Sequence, residues 1–230
     1  LGYEQLTVED THQGTKTEIY SDYDSTYYFP TVLSVKNYAD NTLVKYTRNV
    51  WDKCVTKTKT DGLKDPIFPH VGYTLNQDVL KGQQDSTTFF YDTTIKGSLK
   101  EAKQKFDNGV TQTTTNSYYS NDETNWYIGR LHETIIKFEK SGETTQSNKT
   151  TYTYLTDDRM DKVTYANGTY CQYSYDAAGR MTGMQNKKNN GTVISEYSFT
   201  LDKTGNHKDE TINEPALATA LNNLTNGTTN

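Results

Sequence analysis

A short stretch that recurs constrains the fold of this chain more than any other feature. Residues 173–181 read Tyr-Ser-Tyr-Asp-Ala-Ala-Gly-Arg-Met, and residues 197–206 read Tyr-Ser-Phe-Thr-Leu-Asp-Lys-Thr-Gly-Asn. A degenerate earlier copy, in which Tyr-Thr-Tyr precedes Asp-Asp-Arg-Met, spans residues 152–160. Similarity at a fixed short period is typical of repeat proteins, in which each unit buries its apolar face against its neighbours. The spacing predicts a unit of strand, turn, strand and turn.

The Tyr-x-Tyr pattern predicts strands with an aromatic face. Because side chains alternate along a strand, Tyr173 and Tyr175 lie on one face and Ser174 on the other, so rings can stack in columns. The chain has 230 residues, of which 32% are hydrophobic and 19 are Tyr. Tyrosine must therefore carry much of the packing.

The residues that follow the tyrosines predict tight turns. The Asp176 carboxylate is suited to the start of a turn, since it can accept a hydrogen bond from the backbone two residues on. Gly179 supplies the positive φ that a tight turn demands, and Arg180 follows. Asp202 and Gly205 repeat the arrangement in the second copy. Further hairpin signals are the Asn-Gly pairs at 108–109, 167–168 and 190–191.

This motif, Tyr-Asp-x-x-Gly-Arg followed by Asp-x-x-Gly-Asn, resembles the YD repeat of Rhs proteins, toxin-complex B and C subunits and teneurins. Two earlier stretches are similar to the region that precedes the repeats in toxin-complex B and SpvB-like proteins. They are Leu1–Asp10, with Thr17–Tyr20 and Phe29-Pro30, and the Trp-x-x-Gly-Arg of Trp126–Arg130. The resemblance thus extends over residues 1–212.

The resemblance implies an all-β fold in which antiparallel hairpin repeats form a curved, spiralling sheet, part of a Rhs-type shell. We expect a pre-repeat meander over 1–120, YD hairpins over 121–212, and a polar tail or short helix over 213–230. The implied function is a structural wall that encloses a C-terminal toxin or effector and helps deliver it. The implied partners are the rest of the shell, the toxin polypeptide and other toxin-complex subunits, at a secreted or surface location in bacteria.

The residues to which we assign the structural role are those of the repeat motif and of the Trp-x-x-Gly-Arg segment. They are Tyr173, Tyr175, Asp176, Gly179, Arg180, Tyr197, Asp202, Gly205, Asn206, Trp126, Gly129 and Arg130.

Composition argues against two classes of partner. A net charge of −5 and a pI near 5.4 give no electrostatic reason to expect nucleic acid, which requires clustered Lys and Arg. A mean hydropathy of −0.90 argues against a membrane span. The Lys-rich run at 53–59 alternates with strand residues, which indicates a solvated strand face.

The sequence also gives no support for catalysis, a cofactor or a metal. The four His, at 12, 70, 132 and 207, are far apart and form no zinc motif. Asp157 and Asp158 are adjacent, so on a strand they would point to opposite faces and make a poor acid and base pair, and we expect a turn role for them instead. Asp22 and Asp24 could offer two oxygens to Ca²⁺, but the other ligands of a calcium loop are missing. We expect no enzyme activity.

Several alternatives remain open at this level. An extracellular adhesion module that binds glycans or a partner surface would also be rich in Tyr. Residues 61–73 read as a loop or edge connection, 99–106 as a strand rather than a helix, and 215–224 as a helix or a frayed tail. Cys54 and Cys171 are expected to be unpaired structural thiols.

Overall fold

The computed structural model describes residues 4–24, 29–55, 59–60, 62–63 and 66–215, and these residues form antiparallel strands. The all-β prediction is confirmed. The first eight strands are Gln5–Asp10 (β1), Thr15–Asp24 (β2), Phe29–Ala39 (β3), Thr42–Val55 (β4), Ile67–Asp78 (β5), Gln83–Asp92 (β6), Ser98–Phe106 (β7) and Thr111–Tyr118 (β8). The others are Leu131–Glu139 (β9), Gln146–Tyr154 (β10), Met160–Thr164 (β11), Tyr170–Tyr175 (β12), Met181–Lys187 (β13), Val193–Leu201 (β14) and His207–Asn213 (β15).

The chain divides into two compact units. The first unit comprises Leu1–Arg130 and Ile135–Ser147, and the second comprises Leu131–Thr134 and Asn148–Asn230. Within each unit, hydrogen-bonded neighbours follow the order of the chain, so β1 to β8 form one meander and β10 to β15 another. Apart from the longer connection between β4 and β5, two to five residues join consecutive strands of each meander, and so short a turn can join only antiparallel neighbours.

The predicted hairpins are confirmed at all three Asn-Gly pairs. The pair at 108–109 joins β7 to β8, the pair at 167–168 joins β11 to β12, and the pair at 190–191 joins β13 to β14. The segment 99–106 is strand β7, as predicted. Its Leu99, Ala102 and Phe106 spacing also suits a helix, but Asn108-Gly109 closes a hairpin with β8 instead.

Few side chains are buried. Among the described residues, Cys171 is the one hydrophobic residue in the buried class, at 3% exposure, and the buried polar residues are Thr31, His70 and Ser195. Large apolar side chains such as Phe90 remain half exposed. Side chains on each unit's sheet therefore pack mainly against neighbours on the same face, rather than into a closed core.

Of the two alternatives for residues 61–73, a loop or an edge connection, the loop is wrong from Ile67 onward, because β5 begins there. Pro69 lies opposite Lys53 of β4, yet the pairing of β5 with β6 starts only at Tyr73. Residues 67–72 are thus bonded to a neighbouring strand on one side. A proline is tolerated there because its missing N–H is not needed by a second neighbour.

Two other predictions concern residues that the structure describes only in part. The helix candidate at 215–224 lies outside the described residues, apart from Pro215. Cys171 is a free and buried thiol, while the side chain of Cys54 is not among those described.

Candidate functional site: the ladder of repeat turns

Five turns of the second unit share one backbone geometry, and three of them, at 155–159, 176–180 and 202–206, join β10 to β11, β12 to β13 and β14 to β15. In 176–180, the Gly179 N–H donates to Asp176 O at 3.0 Å, and the Asp176 N–H donates to Arg180 O at 2.9 Å. The turns 155–159 and 202–206 have the same pair of bonds at 2.8–3.1 Å. This pattern is a type I turn followed by one left-handed residue, a common three-residue hairpin connection. We call these three segments the repeat turns.

The fourth residue of each repeat turn has a positive φ. The values are 81° at Gly179 and 93° at Gly205, as predicted from the motif, and 71° at Asp158 in the degenerate copy. A residue with a Cβ is disfavoured there by about 1–2 kcal/mol, although Asp tolerates the conformation better than most. The degenerate copy therefore keeps the turn without the glycine.

In two of the repeat turns, 176–180 and 202–206, the Asp at the first position organises the residues that follow it. Asp176 Oδ1 accepts hydrogen bonds from the Ala178 N–H at 3.0 Å and the Arg180 N–H at 2.9 Å. Asp176 Oδ2 accepts from Arg180 Nε at 2.7 Å. The side-chain bond from Arg180, with these backbone bonds, holds the pKa of Asp176 below its usual range. The predicted bond to the residue two positions on is confirmed.

The second copy uses smaller donors for the same purpose. Asp202 Oδ1 accepts from Thr204 Oγ1 at 2.7 Å and from the Thr204 and Asn206 N–H groups at 2.8 and 2.9 Å. Asp202 Oδ2 accepts from Asn206 Nδ2 at 3.1 Å. The hydrogen bonds from Thr204 and Asn206 hold the pKa of Asp202 well below its usual range.

The arginines connect successive repeat turns, which lie at the same end of the meander. Arg180 Nη1 donates to Asp202 O, in the next turn, at 2.9 Å, and Arg159 Nη1 donates to Asp176 O at 3.3 Å. Each arginine side chain also passes over the left-handed glycine of the next repeat turn. A Cβ built on Gly205 would lie 3.6 Å from Arg180 Cδ, and one on Gly179 would lie 3.8 Å from Arg159 Cδ. We call these links the arginine ladder.

Sequence reasoning missed this role of the arginines. The motif predicted only that Arg180 follows its turn, because the sequence does not show that its guanidinium spans to a turn 22 residues later. The available signal was an Arg at the same place in two copies, Arg159 and Arg180, with Asn206 in the third. Among the residues that the structure describes, the Asn206 side chain bonds only within its own turn, to Asp202 and Thr204.

Tyr175 adds an aromatic contact to the ladder. The Arg159 guanidinium carbon lies 4.6 Å from the ring centroid of Tyr175, and the Tyr175 hydroxyl donates to Met160 O at 2.8 Å. Burial raises the pKa of Tyr175. In the next copy the residue before the turn is Leu201, and Tyr197 lies two residues further from the turn than Tyr173 does. The Tyr197 hydroxyl donates to Glu214 Oε1 at 3.3 Å.

Tyr173 is the most perturbed tyrosine of the motif. Burial and a hydrogen bond with Cys171 raise the pKa of Tyr173 to about 12. Elsewhere, Lys16 lies over the Tyr38 ring at 4.3 Å, and Lys162 over the Tyr170 ring at 5.5 Å. Of the Tyr-x-Tyr rings that the sequence suggested would stack, Tyr175 lies under a cation, Arg159, whereas Tyr38 and Tyr170 lie outside that pattern.

The Trp-x-x-Gly-Arg segment lies in the loop between β8 and β9. The Tyr119 N–H donates to Arg130 O at 2.9 Å, which matches the bond that closes the repeat turns. The Arg130 guanidinium lies over the Tyr119 and Tyr127 rings, at 5.6 and 5.3 Å. Gly129 has φ 71°. Trp126 has φ 62° and is 75% exposed, so it lies away from these packed residues.

The adjacent carboxylates Asp157 and Asp158 lie in the repeat turn 155–159. Asp157 bonds to Arg159, and Asp158 occupies the left-handed position of its turn. Over the ranges that the structure describes, no three His, Cys, Asp or Glu side chains are grouped so that they could hold a metal ion. No helix within those ranges is long and apolar enough to cross a membrane.

No protein-family model and no curated protein matches the chain. Solved structures that match include the crystal structure of TcdB2-TccC3-Cdc42, with 14% identity, a TM-score of 0.47, and coverage of 92% of this chain and 12% of that one. A Photorhabdus luminescens Tc holotoxin pore, carrying a TccC3 mutation, matches with 15% identity, a TM-score of 0.48, and coverage of 92% and 11%. A porin-like protein from Bacteroides uniformis matches with 10% identity, a TM-score of 0.35, and coverage of 91% and 90%.

This chain spans 11–12% of the length of the toxin-complex chains that it matches.

Proposed function

We propose that this chain is a wall segment of a YD-repeat shell, which encloses a toxin or effector polypeptide and helps deliver it. The observation that carries the proposal is the arginine ladder: Arg159 and Arg180 each bond to the backbone of the next repeat turn. The ladder links consecutive hairpins at one end without using the faces of the sheet. Such a link suits the wall of a shell, because it holds neighbouring strands together and leaves both faces of the sheet accessible.

The distribution of burial supports the same proposal. Cys171 is the single hydrophobic residue of the buried class in the described ranges, so the sheets do not close around a core. Stability in such a chain depends on contacts between neighbouring hairpins, and it grows as hairpins are added. A wall of this kind can extend around an enclosed space, whereas a globular enzyme needs a closed interior.

The tyrosines of the repeat also support the proposal, because each combines an apolar ring that packs with a polar hydroxyl that can form a hydrogen bond. The Tyr175 ring packs under Arg159 while its hydroxyl bonds to the backbone of β11. Tyr173 is partly buried beside Cys171. Each ring thus contributes packing area and satisfies a backbone or side-chain partner, which a leucine in its place would not do.

The partners that follow from this proposal are the remainder of the shell, the enclosed polypeptide and other toxin-complex subunits, in a secreted bacterial assembly. The role proposed for this chain is mechanical, and it assigns no catalytic step to these residues.

Electron microscopy of the full-length native protein tests the proposal. The expected particle is a hollow shell with internal density, and this chain should occupy a stretch of its wall. A second preparation, with the C-terminal polypeptide of the native protein deleted, should give the same shell without that density. A solid particle, or a shell whose wall does not contain this chain, would contradict the proposal.

A further inference from the structure

The sheet of the first unit opens between β3 and β4. Pairing of these two strands ends at Ser34 and Arg48. Beyond that point β3 remains paired with β2 as far as Phe29, and β4 remains paired with β5 as far as Val55. Residues 29–33 and 49–53 thus lie on two diverging ribbons, and a groove forms where the ribbons separate.

Side chains of β4 replace the missing backbone bonds and fix this opening. Asn49 Nδ2 and Trp51 Nε1 both donate to Val32 O, at 3.1 and 2.9 Å. Leu33 forms a bulge in the pairing of β3 with β2. Pro30, which has no N–H, falls in the part of β3 that lacks pairing to β4. The groove is therefore a built feature of these residues.

The groove has the size and partly apolar lining of a small-molecule site. Its volume is about 560 Å³, within the range of roughly 300–1,000 Å³ found for such sites. The Phe29 and Trp51 rings lie 6.4 Å apart along it. Thr31 is 7% exposed, and its hydroxyl donates to Asp22 O at 3.2 Å, which fixes one wall.

The polar groups of the groove carry both signs of charge. Asp22 and Asp52 each use Oδ1 to accept a hydrogen bond from the N–H of the following residue, at 2.7 Å, and Oδ2 has no bond to a described residue. Asp24 is paired with Lys53 at 3.4 Å. Arg48 is exposed and forms no hydrogen bond or ion pair with a described residue. The groove thus offers free acceptors and a free donor together.

The free acceptors and the free donor of the groove limit which kinds of ligand can bind there. A simple anion can pair with Arg48 but leaves Asp22 and Asp52 without a donor, and a simple cation can pair with the carboxylates but leaves Arg48 without an acceptor. A hydroxyl group can both donate and accept, so a polyhydroxylated ligand satisfies both kinds of partner. The C–H face of a sugar ring also packs well on an aromatic side chain such as Trp51.

We propose that the groove between β3 and β4 binds a neutral saccharide, with Trp51 and Phe29 as the apolar wall, Asp22 and Asp52 as acceptors and Arg48 as donor. This site is separate from the repeat turns and does not depend on the proposed wall function.

The two tryptophans of the chain allow a direct test. In the full chain carrying Trp126→Phe, Trp51 is the single fluorophore of its kind. Cellohexaose, maltohexaose, chitohexaose and mannohexaose are titrated into this protein at up to millimolar concentrations. The expected result is a saturable change in Trp51 emission with at least one of them, matched by heat in isothermal titration calorimetry.

Substitutions then place the binding in the groove. Arg48→Ala and Asp52→Ala should each weaken binding about tenfold or more, the effect of removing one charge-assisted hydrogen bond. Lys81→Ala, at an exposed turn residue outside the groove, should leave it unchanged. Thermal midpoints of all variants should match that of the parent, which separates loss of the ligand from loss of the fold.

Three results would overturn the proposal. They are no emission change with any of the four sugars, equal binding by the Arg48→Ala and Asp52→Ala variants, or a preference for a charged probe. Spermidine and a sulfated heparin hexasaccharide serve as the cationic and anionic probes.

Discussion

At the scale of single residues, the repeat turns depend on one left-handed position and one carboxylate. Gly179 and Gly205 hold φ values of 81° and 93°, and Asp158 holds 71° in the degenerate turn. The motif predicted the positive φ of these two glycines, because the backbone conformation of a turn depends on a few neighbouring residues. The turn role expected for Asp157 and Asp158 is confirmed, but the motif did not predict that Asp158 takes the left-handed position.

The left-handed position predicts the effect of a branched side chain. Gly179→Val should lower the free energy of unfolding by roughly 1–3 kcal/mol, because valine is strained at positive φ. The Cβ itself meets Arg159 only at ordinary contact distances, so strain rather than collision is responsible. Ala178→Val, at the exposed neighbouring position without positive φ, should change stability little. Chemical denaturation of both variants measures the difference, and equal effects would contradict the turn geometry.

The turn carboxylates predict a dependence on pH. The pKa of Asp202 and that of Asp176 lie below the usual value of about 3.9 because of their hydrogen bonds. A carboxylate of lowered pKa stabilises the folded state above its unfolded pKa, and this contribution is lost as the pH falls through the folded pKa. The thermal midpoint should therefore fall progressively below about pH 4.

Asp202→Asn should make that acid-side fall shallower, since the titrating group is gone. Thr204→Ala should act in the same direction but less, because Thr204 Oγ1 supplies one of the bonds that lower the pKa of Asp202. Lys203→Ala, at an exposed residue of the same turn, serves as the control. Calorimetric scans from pH 2 to 7 measure these slopes, and an unchanged slope in Asp202→Asn would count against this assignment.

At the scale of secondary-structure elements, the arginine ladder gives the repeats a direction. Each arginine bonds to the carbonyl of the following turn, so the bond made by a given arginine protects a turn other than its own. Asn206 is too short to continue this pattern and bonds within its own turn. The ladder therefore stops at the turn between β14 and β15 among the described residues.

The direction of the ladder predicts which turn exchanges its amide hydrogens faster when one of the arginines is replaced. Lys keeps the charge of Arg but lacks the planar fork that bonds both to Asp176 and to the next turn. Arg180→Lys should speed amide hydrogen exchange at 202–206, whereas Arg159→Lys should speed it at 176–180. The two variants control for each other in exchange measured by mass spectrometry. Faster exchange confined to each variant's own turn would show that the ladder bonds are not stabilising.

At the scale of the whole molecule, the described residues provide little core and two strands with one neighbour each. β1 is paired with β2 and β15 with β14, and all residues of both strands are exposed. They include Val8 at 55% and Ile212 at 57% exposure. Unpaired strand edges with apolar side chains favour pairing with another chain.

This exposure predicts association of the isolated chain. The sedimentation coefficient should rise with protein concentration, and Val8→Lys or Ile212→Lys should reduce the rise by placing a charge on an edge strand. Leu80→Lys is the matched control, because Leu80 is 70% exposed but lies in the turn between β5 and β6. Analytical ultracentrifugation measures the three variants. Equal effects of all three would indicate association through general apolar exposure instead of strand edges.

The sequence by itself determined what depends on near neighbours in the chain. Alternation, Asn-Gly pairs and the Asp and Gly of the motif predicted the strands, the hairpins and the left-handed positions, because backbone dihedral preferences act over a few residues. The strand β7 over 98–106 follows from the same local signals. The predicted boundaries near residues 120 and 212 remain predictions.

Only the tertiary structure decided which residues distant in sequence meet. It placed Arg180 against the carbonyl of Asp202, and it brought Pro69 into a strand because β5 there has a neighbour on one side only. It also opened the groove between β3 and β4, where Trp51 bonds to Val32. These features depend on strand register and on where pairing stops. Both are set by the sum of many cross-strand contacts, which no single segment of the sequence contains.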